Sequence, residues 1–276
     1  KTIAGVASMI PMVDLRRQYK ILKAEIDAAI QGVLDNAQFI LGPNVAELEK
    51  EIAQYHRVSH AVGVASGTDA LLLSLRASGI GAGDEVITTP FTFIATADVI
   101  SLLSATPVFA DITKDTFNID PGKIEEKITR KTKAIIPVHL FGHPADMDPI
   151  CALAGKYNIR VIEDCAQAFG ATYKGGKVGT RGDCGCFSFF PSKNLAGYGD
   201  GGMIITGNEA LAKNLRLLRN HGSAIKYHHA TLGYNSRLDE IQAAIIRVKM
   251  KKIEECNDRR RINADMYRTL IKRDDI

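Results

Sequence analysis

From position 60 to 163 the chain alternates between short apolar runs and longer segments with helical spacing. This alternation constrains the fold more than any other feature. Strands are expected at 60–64, 85–88, 106–110, 133–138 and 160–163, each an apolar run too short for a helix. Helices are expected between them at 68–77, 92–103, 121–128 and 147–157. Strands linked through helices of this length run mostly parallel, in a sheet covered on both faces. The expected fold class is therefore α/β, a three-layer α/β/α arrangement around a mostly parallel sheet.

The flanks follow other patterns. Leu15, Tyr19, Leu22, Ile26, Ile30 and Val33 recur at helical spacing, Gly42-Pro43 interrupts, and a second helix covers 44–56. Past Gly170, residues 171–178 read as a hairpin with Gly175-Gly176 central. Strands at 185–190 and 203–206 and a helix at 209–219 follow. One long helical pattern then runs from 236 to 271, apolar early (Leu238, Ile241, Ala244, Ile245, Val248) and charged later. It reads as a spine leaving the main domain. The expected organisation is a leader or tag remnant at 1–8 before Met9, a large domain at 9–247, and a segment at 248–276 that stops without a closing element, as in a fragment.

Composition excludes several classes. A net charge of +4 without a basic block does not indicate nucleic acid. The apolar runs are too short to span a bilayer, and no charged n-region precedes an apolar stretch as in a secretory signal. The five cysteines, Cys151, Cys165, Cys184, Cys186 and Cys256, are odd in number and irregularly spaced. That fits reduced thiols in a cytoplasm better than a disulfide framework.

The chemistry concentrates at Cys186-Phe187-Ser188-Phe189-Phe190-Pro191-Ser192-Lys193-Asn194-Leu195, followed by Gly199-Asp200-Gly201-Gly202. An apolar run delivers one lysine to a turn. Lysine held in that setting suits Schiff-base chemistry, which needs a neutral amine, so Lys193 is a candidate to bind pyridoxal phosphate; a surface lysine is the alternative. Ser66-Gly67-Thr68 joins a strand to a helix start, where backbone N–H groups favour a phosphate, or where a hydroxyl simply caps the helix. Asp164 ends a strand at the edge where open α/β sheets bind ligands. Its carboxylate could pair with a protonated pyridine nitrogen, or could be a solvated loop group. Gln167 could meet a ring hydroxyl. Phe93 could stack on a flat cofactor or pack in the core.

Other motifs are set aside. Gly79-Ile80-Gly81-Ala82-Gly83 follows a helix and precedes a strand, the reverse of a dinucleotide fingerprint, and reads as a helix cap and turn. Cys184-Gly185-Cys186, His139 and His228-His229 lack partners at metal-site spacing, so no metal is expected.

In combination the chain resembles the nucleotide-sugar aminotransferases of the DegT/DnrJ/EryC1/StrS family, pyridoxal phosphate enzymes of fold type I. Besides the lysine stretch, the resemblance rests on Phe39-Ile40-Leu41-Gly42-Pro43, Ser66-Gly67-Thr68-Asp69-Ala70-Leu71, Gly83-Asp84-Glu85-Val86-Ile87-Thr88, the run from Val161 to Gly170, and Asn235-Ser236-Arg237-Leu238-Asp239. It implies that Lys193 holds the cofactor as a Schiff base and moves the proton, and that Asp164 keeps the pyridine nitrogen protonated. It also implies that Gln167 meets the ring hydroxyl, Phe93 stacks on the ring, and Gly67, Thr68 and Ser188 bind the phosphate. Asn235 would reach the cofactor phosphate of the other subunit of a homodimer, with Arg237 assisting at that edge. The implied reaction moves an amine from an amino acid, usually glutamate, to a keto sugar on a nucleotide. The resemblance further implies that the 9–247 domain binds the cofactor and that 248–276 is the truncated start of a small C-terminal domain.

Tyr198-Gly199-Asp200-Gly201-Gly202 resembles members that aminate carbon 3. Lys226-Tyr227-His228-His229 resembles enzymes of UDP-linked 3-keto N-acetylhexosamines or their uronic acids, on paths to bacterial surface polysaccharide. There His228 or His229 touches the substrate or is a surface loop histidine. Two competitors stand beside this reading: a sugar dehydratase of the same family, in which histidine replaces the lysine, and a non-catalytic regulator on the same fold. Lys193 argues against the first, and the intact set Asp164, Gln167, Ser188 and Lys193 against the second.

Overall fold

The computed structural model describes residues 13–225 and 227–271. The expected leader segment, 1–8, and Lys226 lie outside the described residues. Two helices open the described chain, α1 (Leu15–Asn36) and α2 (Pro43–His56). The expected alternation follows as β1 (His60–Val64), α3 (Gly67–Ala77), β2 (Glu85–Thr88), α4 (Ala95–Leu102), β3 (Thr106–Phe109), β4 (Thr132–Ile135), α5 (Met147–Tyr157) and β5 (Arg160–Asp164). After a hairpin, β6 (Thr172–Tyr173) and β7 (Gly176–Lys177), come β8 (Cys184–Ser188), β9 (Gly202–Thr206) and α6 (Glu209–Leu218). A small ribbon, β10 (Ser223–Ile225) and β11 (His228–His229), precedes α7 (Glu240–Met250) and α8 (Ile253–Leu270).

The main sheet has the order β1-β9-β8-β5-β4-β2-β3. Pairing is parallel from β3 through β2, β4 and β5 to β8. β9 runs antiparallel to both β8 and β1. Because β9 opposes both neighbours, β1 and β8 point the same way. The carboxyl ends of β1, β5 and β8 therefore lie along one edge.

Successive strand residues face opposite sides, and the apolar runs fill two cores. Val62, Val64, Ile162, Cys184, Cys186 and Ile204 pack with α3, α4 and α6. Ala61, Phe187, Met203 and Ile205 pack with α2 and α7 on the other face. Ile87, Ile135 and Val161 extend that second face under α5. α1 lies on α7 through Leu22, Ile26, Ile245 and Val248. Among the described residues no helix is long and apolar enough to cross a membrane.

Several local expectations are corrected. The 92–103 helix begins only at Ala95, which leaves Thr92 and Phe93 in the preceding bend. The 121–128 segment forms two 3₁₀ turns, Pro121–Lys123 and Glu125–Lys127. Asp120 takes the Gly122 N–H at 2.9 Å, Ile124 is the buried anchor, and the backbone is already extended at Ile128. β4 stops before Pro137, which has no N–H to donate to a ladder. The hairpin turns on Lys174-Gly175, both left-handed, one residue earlier than expected, and Gly176 pairs with Tyr173. The expected single spine is two helices. Asp239 caps α7 by accepting from Gln242 N at 2.8 Å, and Lys252, at φ −113° and ψ 5°, breaks the chain so that Ile253 turns into the core. Position 247/248 falls inside α7.

His56 ends α2 inside an aromatic cluster with Tyr55, Phe169 and Phe187. Its Nδ1 donates to Ile52 O at 3.0 Å, and its buried Nε2 has no partner. Burial outweighs that backbone bond and lowers the imidazole pKa to about 4 from 6.5. Between these values the unfolded chain binds the proton and the folded chain does not. Stability is therefore full above pH 6.5 and falls as pH drops toward 4, by about 3 kcal/mol in total. Urea unfolding at pH 7 and pH 4.5 should show this loss in the wild type and a smaller one in His56→Leu. Equal losses in both proteins would contradict this account of His56.

Candidate active site

A cavity of about 360 Å³ opens at the shared carboxyl edge of β1, β5 and β8. β1 leads through Ser66 into α3, β5 ends in Asp164, and β8 ends in Ser188, ahead of the turn that carries Lys193. The cavity thus gathers Gly67, Thr68, Phe93, Asp164, Gln167, Ser188 and Lys193 from segments far apart in sequence. Asp200 lines it as well.

At α3 the cap and the anion site coexist. Ser66 Oγ accepts from Asp69 N at 3.0 Å and caps the helix. The first four N–H groups of a helix lack intrahelical partners, so those of Gly67 and Thr68 remain at the cavity wall with the positive end of the dipole. Gly67 abuts Ser188: a Cβ there would stand 2.6 Å from Ser188 Cβ. The approach of β8 to the helix start therefore requires glycine.

Asp164 is buried, not a solvated loop group. Its Oδ1 accepts from Ala166 N at 3.1 Å and its Oδ2 from Thr96 Oγ1 at 2.9 Å. Burial pushes its carboxyl pKa up, against those two bonds and the nearby His139 and Lys193. Lys193 is half-buried, and burial lowers its pKa while Asp164 opposes the shift. An acid and an amine thus share one cavity, each biased toward its neutral form by desolvation. Gln167 Oε1 accepts from Phe141 N at 2.8 Å, which leaves its Nε2 as a donor. Phe93 is 72% exposed, which removes the core-packing alternative.

The remaining expected site residues lie elsewhere. Asn235 is exposed and bridges Asn220 beside the β10–β11 ribbon. Arg237 donates to Asn220 Oδ1 at 3.1 Å. His228 and His229 are exposed on β11, and His229 Nδ1 lies 2.9 Å from His221 O. None of the four lines the cavity of this chain.

Two groups escape a reading of the sequence. Thr96 sits one helical turn past Thr92, whose hydroxyl it meets at 3.2 Å, and the i, i+4 threonine pair at a helix start is the one local signal for it. Glu163 reads in the sequence only as a strand residue. It is wholly buried and takes N–H groups of Gly179, Arg181 and Gly182 and the Nε2–H of His139. Ala145 N donates to His139 Nδ1, so Nε2 is the nitrogen that donates. Burial opposes charge on Glu163, yet His139 and the loop N–H groups outweigh it and hold the carboxyl below its usual pKa. Among the described residues, His139, Glu163 and Cys165 form the one trio of metal-type donors, but this carboxylate's lone pairs are already committed. Cys184 and Cys186 are buried core thiols, the first pushed up to about 12 by desolvation.

These residues fit a flat anionic cofactor: a helix start and hydroxyls for a phosphate, a buried carboxylate for a ring nitrogen, and an amine with a lowered pKa for a carbonyl. Comparison with known proteins agrees. A model of the DegT/DnrJ/EryC1/StrS aminotransferase family matches residues 20–275. The chain is 56% identical over 258 residues to the UDP-N-acetyl-3-dehydro-α-D-glucosamine 3-aminotransferase of Acidithiobacillus ferrooxidans, covering 94% of this chain and 70% of that protein. It is 52% identical over 263 residues to a pleiotropic regulatory protein of Geobacillus stearothermophilus, covering 95% and 71%. The X-ray crystal structure of S. venezuelae DesV in complex with a ketimine intermediate superposes with a TM-score of 0.92 at 48% identity, covering 94% of this chain and 70% of that one.

Proposed function

We propose a reaction from one premise: the chain belongs to the DegT/DnrJ/EryC1/StrS aminotransferase family. It is a pyridoxal-phosphate-dependent aminotransferase of nucleotide-sugars. Within that class, glutamate gives the amine, and carbon 3 of a UDP-linked 3-keto N-acetylhexosamine or its uronic acid accepts it, on a path to surface polysaccharide in the cytoplasm. The 56% identical relative carries the choice of sugar and carbon, and Asp200 at the cavity wall supports it.

Each side chain has a task in this reading. When bound, pyridoxal phosphate supplies an electron sink and a carrier for the amine. Lys193 Nζ holds the cofactor and then accepts and returns the transferred proton, helped by burial that eases loss of its own proton. Asp164, fixed by Thr96 and Ala166, faces the ring nitrogen and gains a counter-charge for its buried carboxylate. Gln167 donates to the ring hydroxyl, and Phe93 covers the ring. Gly67, Thr68 and Ser188 hold the phosphate. Asn235 completes the phosphate site of the partner in a homodimer, and Arg237, His228 and His229 meet the sugar nucleotide. α8, with only Ile253 and Asn257 buried, begins the small domain.

The name of the Geobacillus relative favours a second reading, a regulator on this fold. Turnover separates the two. Incubation with glutamate and either a 3-keto or a 4-keto UDP-sugar, followed by mass and NMR analysis, should yield the 3-amino sugar. Amination only at carbon 4 refutes the choice of carbon, and no turnover with either favours the regulator.

A further inference from the structure

α8 has eighteen residues, and only Ile253 and Asn257 are buried. Ile253 joins an apolar core. Asn257 is different: a polar side chain, 6% exposed, set between the segments that carry Asp164 and Lys193. Burying an amide is costly unless its groups are bonded, and here both ends are used. Nδ2 donates to Phe169 O at 3.1 Å, and Oδ1 accepts from Asn194 Nδ2 at 3.0 Å and from Arg260 Nη1 at 3.3 Å. Phe169 ends the segment that carries Asp164 and Gln167, and Asn194 follows Lys193 directly.

The surroundings are shaped to this contact. Gly170 has φ +89°, and a Cβ there would lie 2.5 Å from Asn257 Nδ2 and 2.8 Å from Tyr55 Oη. One turn earlier on α8, Glu254 Oε1 accepts from Tyr55 Oη at 2.5 Å and from Lys177 Nζ at 2.8 Å. Residues 254 and 257 thus fasten one face of α8 to the β6–β7 hairpin, to Phe169 and to Asn194. The turn at 190–197 is also held by Lys193 N to Phe190 O and Gly197 N to Phe189 O, both 2.8 Å, and by burial of Leu195 and Ala196, whereas Asn194 is the residue beside Lys193 that reaches α8.

We propose that Asn257 is a positioning residue that clamps the Lys193 turn to the Asp164–Phe169 segment, so that α8 sets the placement and reactivity of the Lys193 amine. This rests on the reading of Lys193 as the cofactor lysine. Asn257 touches neither cofactor nor substrate. It acts through Asn194 on one side and Phe169 on the other, and its loss loosens the Lys193 turn against the Asp164–Phe169 segment, while the β5–β8 ladder still joins the strands beneath.

The test compares wild type, Asn257→Leu, Asn194→Ala and the double variant. Hydrogen exchange of the cofactor-free proteins is read over residues 190–197, with β1 as internal reference. Pyridoxal phosphate affinity and the pH midpoint of the bound cofactor's visible absorbance are read in parallel, with borohydride trapping and peptide mapping to locate it. Both single variants should speed exchange over 190–197 and raise the cofactor Kd by about tenfold, the scale of one lost buried hydrogen bond. Both should move the pH midpoint while β1 exchange stays unchanged. The double variant should be no worse than Asn257→Leu, because the two groups act through one bond. Asn194→Ala removes a partly exposed side chain and keeps the test open if Asn257→Leu fails to fold. Wild-type label on Lys193 with unchanged exchange, Kd and midpoint in the variants, and only a lowered Tm, overturns the clamp alone. Wild-type label on another lysine overturns the cofactor-lysine reading and the clamp with it.

Discussion

Lys193→Ala should lower kcat by about 10⁴-fold, the upper range for losing a positioned acid–base group, and abolish the visible absorbance of the lysine-bound cofactor. The size follows from the makeup of the cavity. Among the residues that line it, Lys193 is the only basic side chain, so no second amine stands ready to replace it. Water could carry a proton but would not be held at the same point. The fold should survive, because the turn is made by the Lys193 backbone N–H on Phe190 O, which alanine keeps. Steady-state kinetics, absorbance and borohydride mapping check the three parts separately. Near-normal turnover, or label on a different lysine, would show that the role assigned to Lys193 is wrong.

Glu163→Ala should destabilise the protein by about 3–5 kcal/mol, the range for breaking a buried charged network. In a chain of this size that is a Tm loss of about 10 °C. The carboxylate sits at the centre of four hydrogen bonds: Arg181 N at 2.8 Å and Gly182 N at 2.7 Å on Oε1, Gly179 N at 2.7 Å and His139 Nε2 at 2.9 Å on Oε2. Alanine takes this partner from all four donors, and the two in buried bonds, Gly179 N and His139 Nε2, carry the full desolvation penalty. The loop has little room to adjust, since a Cβ on Gly182 would meet Val161 O at 2.6 Å. Glu163→Gln should also destabilise, because its NH₂ faces other donors. Urea unfolding monitored by circular dichroism measures both variants. A loss under about 1 kcal/mol for Glu163→Ala, the net worth of one ordinary hydrogen bond, would mean the network is dispensable. Because Asp164 follows directly in β5, the same variant should also weaken cofactor binding.

Much of this protein is legible in its residue order. The strands at 60–64 and 85–88 lie where the short apolar runs lie, and α1, α2, α5 and α6 where the helical spacing lies. Lys193, Asp164, Gln167, Gly67, Thr68 and Phe93 are legible as candidate chemistry and Ser188 only through the family resemblance, and one cavity collects them. The break between α7 and α8 is not legible, because a helical pattern continues across Lys251-Lys252 and only the packing of Ile253 decides against it. The 121–128 segment misleads for the opposite reason. Its spacing suits a helix, but eight residues with Gly122 near the start gain too little from helix formation, and long-range anchoring of Ile124 prevails.

The sequence by itself determined the layers and marked the candidate groups. Periodicities of 2 and 3.6 residues are local, and a lysine or a carboxylate declares its chemistry wherever it stands. Only the tertiary structure decided what each group touches. Thr96 reaches Asp164 across 68 positions and Asn257 reaches Phe169 across 88. Such contacts depend on the strand order β8-β5-β4-β2 and on where α8 returns to the sheet. No local repeat encodes that order, because it is set by which buried faces and hydrogen-bonding groups can all be satisfied together.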